Sequence, residues 1–359
     1  MAVYEQKKAL EAPSNAKGVV HWLKDNLFSS VLNSILTIIG VAFLFWIIPP
    51  FLNWAYFDAN FAGTTKAQCT GDGACWIFIK MKIDLFMYGF YPAEQLWRLK
   101  TIVMLFVAMM IGFRFINKNK FIIVTLFFII SLTLVYGGIF GLEVVPTDKW
   151  GGLMLTIIVA SVGIVFSFPI GIIIAFGRQS HLPIIRSISV TYVEMIRGVP
   201  LITILFMSSV ILPLFFPEGI TFDKLLRALI GITLFQAAYI AENIRGGLQS
   251  IPTGQYEAAD AIGLSYWQKM LLVILPQALK VAIPNLVGAF ISLFQDTTLV
   301  LIIGLFDLLS TVTIAAADSN WIGMETEGYV FVTAIYWIFC YGMSRYSGKL
   351  EKQFDTNLK

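Results

Sequence analysis

Glu194 and Arg197, Glu242 and Arg245, and Asp296 with Thr297 stand inside long apolar stretches. An ionisable side chain is expensive in such surroundings and faces either a helix-bundle interior or a water-filled path. Two roles suit these residue types. Glu194 and Arg197 are three residues apart, as are Glu242 and Arg245, so each pair shares a helix face and can neutralise itself. The same groups can instead meet a ligand that carries both signs of charge. Neither role is catalysis. The two histidines, His21 and His181, are far apart and give no metal-ligand spacing or convergent nucleophile and base. A G-x-x-x-x-G-K-[ST] phosphate loop is absent from the sequence. Its nearest approach, Gly342 to Gly348-Lys349-Leu350, has the wrong spacing and lacks the hydroxyl residue.

The elements that must position these residues are apolar helices. The chain of 359 residues is 58% apolar and only 13% charged, far from the charge density of an ordinary water-soluble domain. Crossing a bilayer takes roughly 20 mostly apolar residues, because every backbone polar group must be satisfied within the segment. About eight stretches qualify: Val31–Leu52, Leu99–Ile116, Phe121–Phe140, Gly152–Phe176, Ile188–Phe216, Leu226–Leu248, Val281–Leu305 and Tyr329–Tyr346. They are apolar nearly all round, which excludes the polar face of a helix from a soluble core. The expectation is an all-α integral membrane protein.

Short loops rich in Lys and Arg orient such a protein. Lys7, Lys8, Lys17 and Lys24 fall on the same side as Lys118, Lys120, Arg178, Arg186, Lys269, Lys280, Lys349, Lys352 and Lys359, which places both termini in the cytoplasm. The net charge of +3 is accounted for by this loop bias and gives no reason to invoke nucleic acid. The first apolar run starts too far in to be a signal peptide and reads as a permanent helix. Cys69 and Cys75 lie in the first outward loop, in Gln68-Cys69-Thr70-Gly71-Asp72-Gly73-Ala74-Cys75. They form either a disulfide, if that face is oxidising, or two unpaired thiols. Cys340 reads as an inert apolar side chain of the last helix.

Two blocks divide near Trp150. Residues 1–150 hold three helices and an outward loop over 53–97 in which no site-like cluster is legible. Residues 151–349 hold five helices interrupted by Ser167, Pro169, Glu194, Arg197, Gly198, Pro200, Glu242, Pro284, Gln295 and Asp296, and this block is expected to do the transporting. Its long inward loop has folding signals. Pro252 suits the start of a helix, Glu257-Ala258-Ala259 are strong helix formers, and Gly263 suits a left-handed stop. Ser265 with Gln268 has the form of a capping box that opens a second helix. From physics alone this is a helix hairpin or a rigid docking knob in equal measure.

Glu257-Ala258-Ala259, Gly263 and Val273-Ile274-Leu275-Pro276 resemble the EAA motif of importer permeases of the ATP-binding cassette (ABC) class. Glu194-Met195-Ile196-Arg197-Gly198-Val199-Pro200, Tyr239 to Gly246 and Phe290 to Val300 are similar to polar amino-acid permeases of the histidine and glutamine importer group. The three extra N-terminal helices resemble the M-type permease of the general L-amino-acid importer. The likeness covers 151–346 well and the first block only in outline. It departs at Gln295, where many relatives carry Lys.

This resemblance implies a five-helix core of the type I importer fold. It implies an L-amino-acid permease subunit of the bacterial inner membrane, coupled through the loop of Glu257, Ala258, Ala259, Gly263 and Pro276 to a separate ATPase that binds the ATP. The chain itself would then need no cofactor and no metal. The implied partners are a second homologous permease, a cytoplasmic ABC ATPase dimer, a periplasmic amino-acid-binding protein and membrane lipid. Glu194, Arg197, Gly198, Pro200, Glu242, Asp296 and Thr297 are the candidate substrate path. An ion-coupled secondary amino-acid transporter is the rival reading, and it would need no docking loop.

Overall fold

The computed structural model describes residues 18–115, 119–139, 141–217 and 222–354. Lys7, Lys8, Lys17, Lys118 and Lys359, and the expected span ends Ile116 and Phe140, lie outside the described residues. The helices in chain order are α1 (Val19–Leu27), α2 (Val31–Leu52), α3 (Trp76–Tyr88), α4 (Leu96–Gly112), α5 (Lys120–Tyr136), α6 (Gly152–Arg178), α7 (Pro183–Arg197), α8 (Leu201–Val210), α9 (Lys224–Gln249), α10 (Thr253–Ala261), α11 (Tyr266–Gln268), α12 (Leu275–Asp296), α13 (Leu308–Ala316) and α14 (Glu325–Phe354). The chain divides into two compact units, one reaching to Ile77 and one running from Phe78 onwards. In the first, Ser30 caps α2 by accepting from the Asn33 amide at 3.2 Å, and Cys69 and Cys75 are joined by a disulfide.

Each of the eight expected spans contains helix, but not all as full spans. Among the described residues five helical runs are long and apolar enough to cross a membrane: Val31–Phe57, Ala93–Gly112, Gly152–Arg178, Lys224–Gln249 and Tyr266–Ile303. The expected span Ile188–Phe216 is instead the pair α7 and α8, bent by 104°, which brings the number to six if counted as one span. The break falls where Pro200 supplies no amide to the ladder and biases Val199 away from helical geometry. Helix α5 stops at Tyr136 because Gly137 and Gly138 follow with φ of 79° and 78°. Helix α14 has the length, but its tyrosines, Trp337 and Arg345 lower its hydropathy. The loop expected over 53–97 contains α3. Lys80, Lys82 and Asp84 hid its helical pattern, while Phe78 and Phe86 are fully buried against Trp321 and Phe331, with ring centroids 5.6 and 5.7 Å apart.

Side-chain contacts define how the long helices run. Gly163 faces Ile232 and Gly171 faces Ile240, a constant offset that makes α6 and α9 parallel. The Gln236 amide donates to the Ala289 carbonyl at 3.0 Å and Asn243 donates to the Asn285 carbonyl at 3.2 Å, so α12 runs antiparallel to α9. Gln295 meets Cys340, and Phe294 packs on Tyr336 and Phe339. Helix α14 therefore returns antiparallel to α12. Arg178, Gln249, α10 and the last turns of α14 consequently gather at one basic end of the bundle. The start of α6, α13 and the start of α14 lie at the opposite end, where Gly151 and Gly152 bridge to Phe306 and Asp307.

In lipid the packing of small residues lets helix backbones approach. A Cβ built on Gly171 would lie 2.5 Å from Ile240 Cγ2 and 3.2 Å from the Ala237 carbonyl oxygen. Gly171→Leu is therefore expected to force α6 from α9 and cost about 1–3 kcal/mol of stability by overpacking. Thermal unfolding of the purified chain in detergent checks this, and an unchanged melting temperature would refute the close contact.

Candidate functional site

At the basic end the segment between α9 and α12 is fully folded. Pro252 precedes α10, and the helix closes in a Schellman arrangement: Gly263, with φ 77°, donates to the Asp260 carbonyl at 3.0 Å and Leu264 donates to the Ala259 carbonyl at 3.2 Å. The Ser265 amide then donates to Gln268 Oε1 at 3.0 Å while the Gln268 amide donates to Ser265 Oγ at 3.4 Å, which is the capping box expected from sequence. Lys269 pairs with Asp260 at 2.5 Å across the turn. Gln277 donates to Gln255 at 3.0 Å, and Tyr256 donates to the Leu248 carbonyl at 3.4 Å. These contacts tie the knob to both flanking spans.

Ala259 is buried under the knob, whereas Glu257, Ala258 and Pro276 are exposed. Glu257 has no ion or hydrogen-bond partner among the described residues, and further along the same segment Ile262 and Trp267 are 74% and 60% exposed. The chain then widens into a π-helical turn over Lys269–Ile274 before α12. Pro276 explains the site of widening, because its ring cannot sit under the carbonyl four residues earlier in a regular helix.

A second cluster brings α6, α7 and α9 together. Glu242 receives Arg178 at 2.7 Å, Arg245 at 2.5 Å and Arg197 at 3.7 Å. Glu194 pairs with Arg178 at 3.1 Å, and the Arg197 guanidinium lies 5.6 Å from the Tyr239 ring centre. The spacing of Glu194 and Arg197 suggested self-neutralisation along α7. The structure connects each of them across helices instead, Glu194 to Arg178 on α6 and Arg197 to Glu242 on α9. Glu242 and Arg245 do pair along α9, as their spacing suggested.

Asp296 and Thr297 belong to a different place. From the level of Asn243 and Asn285, Asp296 lies about 16 Å further along α12 at 1.5 Å per residue. A single amino acid cannot touch both Glu242 and Asp296. Asp296 is half-buried and has no partner among the described residues. Thr297 is fully buried, donates to the Phe294 carbonyl at 2.8 Å and lies 3.4 Å from the Tyr336 hydroxyl. Tyr336 in turn donates to Asp307 at 3.3 Å. Asp307 caps α13, accepting from the Leu309 amide at 3.2 Å, the Ser310 amide at 3.1 Å and the Ser310 hydroxyl. Thr156 on α6 accepts from the Leu308 amide at 3.2 Å.

Burial pushes the Asp307 carboxyl above the usual carboxylate range, opposed by hydrogen bonds from Ser310, Leu309 and Tyr336. A carboxyl with a raised folded-state pKa contributes stability that is complete below the unfolded value and is lost as pH rises through the folded one. The melting temperature is therefore expected to rise as pH falls from neutrality towards the ordinary carboxyl range near about 4, and this rise to shrink in Asp307→Asn. Identical pH profiles for the two proteins would refute it. Among the described residues no group of three or more His, Cys, Asp or Glu could hold a metal.

Residues 167–354 match the family described as the binding-protein-dependent transport system inner membrane component. Over 351 residues, covering 96% of this chain and 95% of the relative, the sequence is 54% identical to the inner membrane amino-acid ABC transporter permease protein YhdY of Escherichia coli (strain K12). This chain belongs to the amino-acid ABC transporter permeases. The permease is also 38% identical, over 96% of each chain, to the glutamate/glutamine/aspartate/asparagine transport system permease protein BztC of Rhodobacter capsulatus. Its fold is similar to a solved amino acid ABC transporter crystallised with histidines, with a TM-score of 0.50 and 28% identity over 56% of the permease and 92% of that chain. It is a multi-pass protein of the inner membrane, and its five-helix core is α6, the bent pair α7 and α8, α9, α12 and α14.

Sequence reasoning missed Arg178, which it used only to orient the loops, and Tyr239, Tyr336 and Asp307. A basic residue ending an apolar span was a weak signal for Arg178. Asp307 followed by Leu308, Leu309 and Ser310 carries a helix-cap signature that could have been found.

Proposed function

We propose that this permease passes L-amino acids delivered by a periplasmic binding protein, and that a cytoplasmic ABC ATPase dimer drives it through the knob at Glu257. The observation that carries this reading is the knob itself. It is folded throughout, exposes the Glu257 carboxylate, which has no partner among the described residues, and continues through a helical turn into α12. ATP is bound by the ATPase, since this sequence lacks a phosphate loop. Residues 151–349 form the transporting domain and 1–150 an extension. Both termini face the cytoplasm, so the basic end of the bundle is the inner one. A second homologous permease completes the pathway.

Within this reading the Glu242 cluster lies near the inner mouth. Asp296 lies higher, where an unpartnered carboxylate suits a substrate ammonium. Gln295 in place of the Lys of many relatives leaves no cation beside it, which fits substrates other than acidic ones alone. The arrangement is a path with two polar stations, not one compact pocket.

Purifying the tagged permease from its native membrane and assaying ATP hydrolysis with loaded binding protein tests the reading. A copurifying ATPase stimulated by the binding protein supports it. A chain that purifies alone and takes up amino acids down an ion gradient in liposomes would overturn it in favour of secondary transport.

A further inference from the structure

Behind α12, between α6 and the inner half of α14, lies a groove of about 330 Å³ lined by Phe168, Leu279, Ile283, Phe290, Met343 and Leu350, among other apolar and aromatic side chains. Its depth follows from the antiparallel register of α12 and α14. Phe290 and Met343 mark its deep end, and Leu279 and Leu350 mark the end at the basic face. The groove therefore spans the inner half of the bilayer and opens towards the inner headgroup layer. Among the described residues no charged group lines it, and Tyr346 is the one lining side chain with a polar atom.

Its mouth has the opposite character. Lys280 follows Leu279 directly, and Lys349 and Lys352 flank Leu350 on α14, all of them exposed. Arg345 lies one turn deeper, and the only acid among the described residues of these turns, Glu351, accepts a hydrogen bond from Ser347 at 2.9 Å. Exposed Tyr346 sits at the level where aromatic side chains meet the headgroup region. An apolar slot in one leaflet with a cationic rim at that leaflet's surface matches an acyl chain joined to an anionic headgroup. A second permease fits the rim poorly, because its own inner loops carry the same positive bias.

We propose that this groove is a binding site for an anionic phospholipid of the inner leaflet, the acyl chain lying along α12 and the headgroup between Lys280, Lys349 and Lys352. The assignment uses the membrane orientation proposed above but not the coupling to an ATPase. A lipid so placed braces the lower half of α12, the helix into which the knob feeds.

The test is native mass spectrometry of the full-length permease in detergent with equal amounts of phosphatidylglycerol and phosphatidylcholine of identical chains. Wild type is expected to retain phosphatidylglycerol with a preference on the order of a hundredfold, given about a fivefold contribution from each of the three lysines near the headgroup. Lys349→Gln with Lys352→Gln, on exposed positions that leave the fold intact, is expected to lower that preference to about fivefold, the share left with Lys280. Ile283→Trp, which fills the slot, is expected to remove both. Equal retention of the two lipids by wild type would overturn the proposal, as would a lysine double variant with unchanged preference. Loss of a coexpressed second permease from Ile283→Trp, with lipid retention unchanged, would assign the groove to a subunit interface instead.

Discussion

Glu257→Ala is expected to lower binding-protein-dependent amino-acid uptake by about 30-fold or more, the equivalent of an interface hot spot worth roughly 2 kcal/mol. The melting temperature should stay close to wild type, because Glu257 is exposed and has no partner within the chain, and such surface changes usually stay within about ±0.5 kcal/mol. The split between lost transport and kept stability is the signature of a docking residue. Gly263→Val behaves differently. It puts a β-branched side chain at φ 77°, where only glycine sits without strain, so it should lose both transport and the shape of the knob. Uptake into proteoliposomes containing the whole transporter, beside thermal unfolding of the permease, distinguishes the two. Normal uptake by Glu257→Ala would remove the knob from the coupling path.

Glu242→Ala is expected to be the most damaging single change in the spans. It removes the carboxylate on which Arg178, Arg197 and Arg245 converge, leaving three guanidinium groups facing one another at the bend between α7 and α8. Breaking a buried ion pair by deleting one partner costs about 3–5 kcal/mol, and part of that should appear here because Glu242 is not fully buried. Uptake should fall with stability. Removing Arg178 as well should restore part of both, since neighbours in one ion-pair network are not additive. A double-mutant cycle on melting temperature reads the coupling directly. A Glu242→Ala protein that melts like wild type would show that the cluster is not what holds α6, α7 and α9 at the inner end.

How much of this was legible beforehand follows from the range of each interaction. The knob at Glu257 was readable residue by residue, because helix stops and capping boxes are decided by neighbours within four or five positions. The disulfide partners Cys69 and Cys75 lie in one short loop, and the two possibilities left open there were resolved by the fold. The all-helical membrane character was readable as well, since the bilayer imposes one length and one polarity on every span.

Other features were not local. Gly198 and Pro200 marked a local irregularity within one expected span but not a 104° turn, because the angle is fixed by what the end of α7 packs against. Spacing along α7 could say only that Glu194 and Arg197 share a face. It could not say that Arg178, from the end of another helix, lies between Glu194 and Glu242. The separation of Asp296 from Glu242 is likewise a matter of the register of α9 and α12, which Gln236 and Asn243 set by donating to carbonyls on the facing helix. By itself the sequence determined the solvent, most of the apolar helices and the shape of the loop at Glu257, because those depend on composition and on contacts between near neighbours. Only the tertiary structure decided which charges meet and at what depth, because the partner of a buried charge is chosen by helix packing and not by distance along the chain.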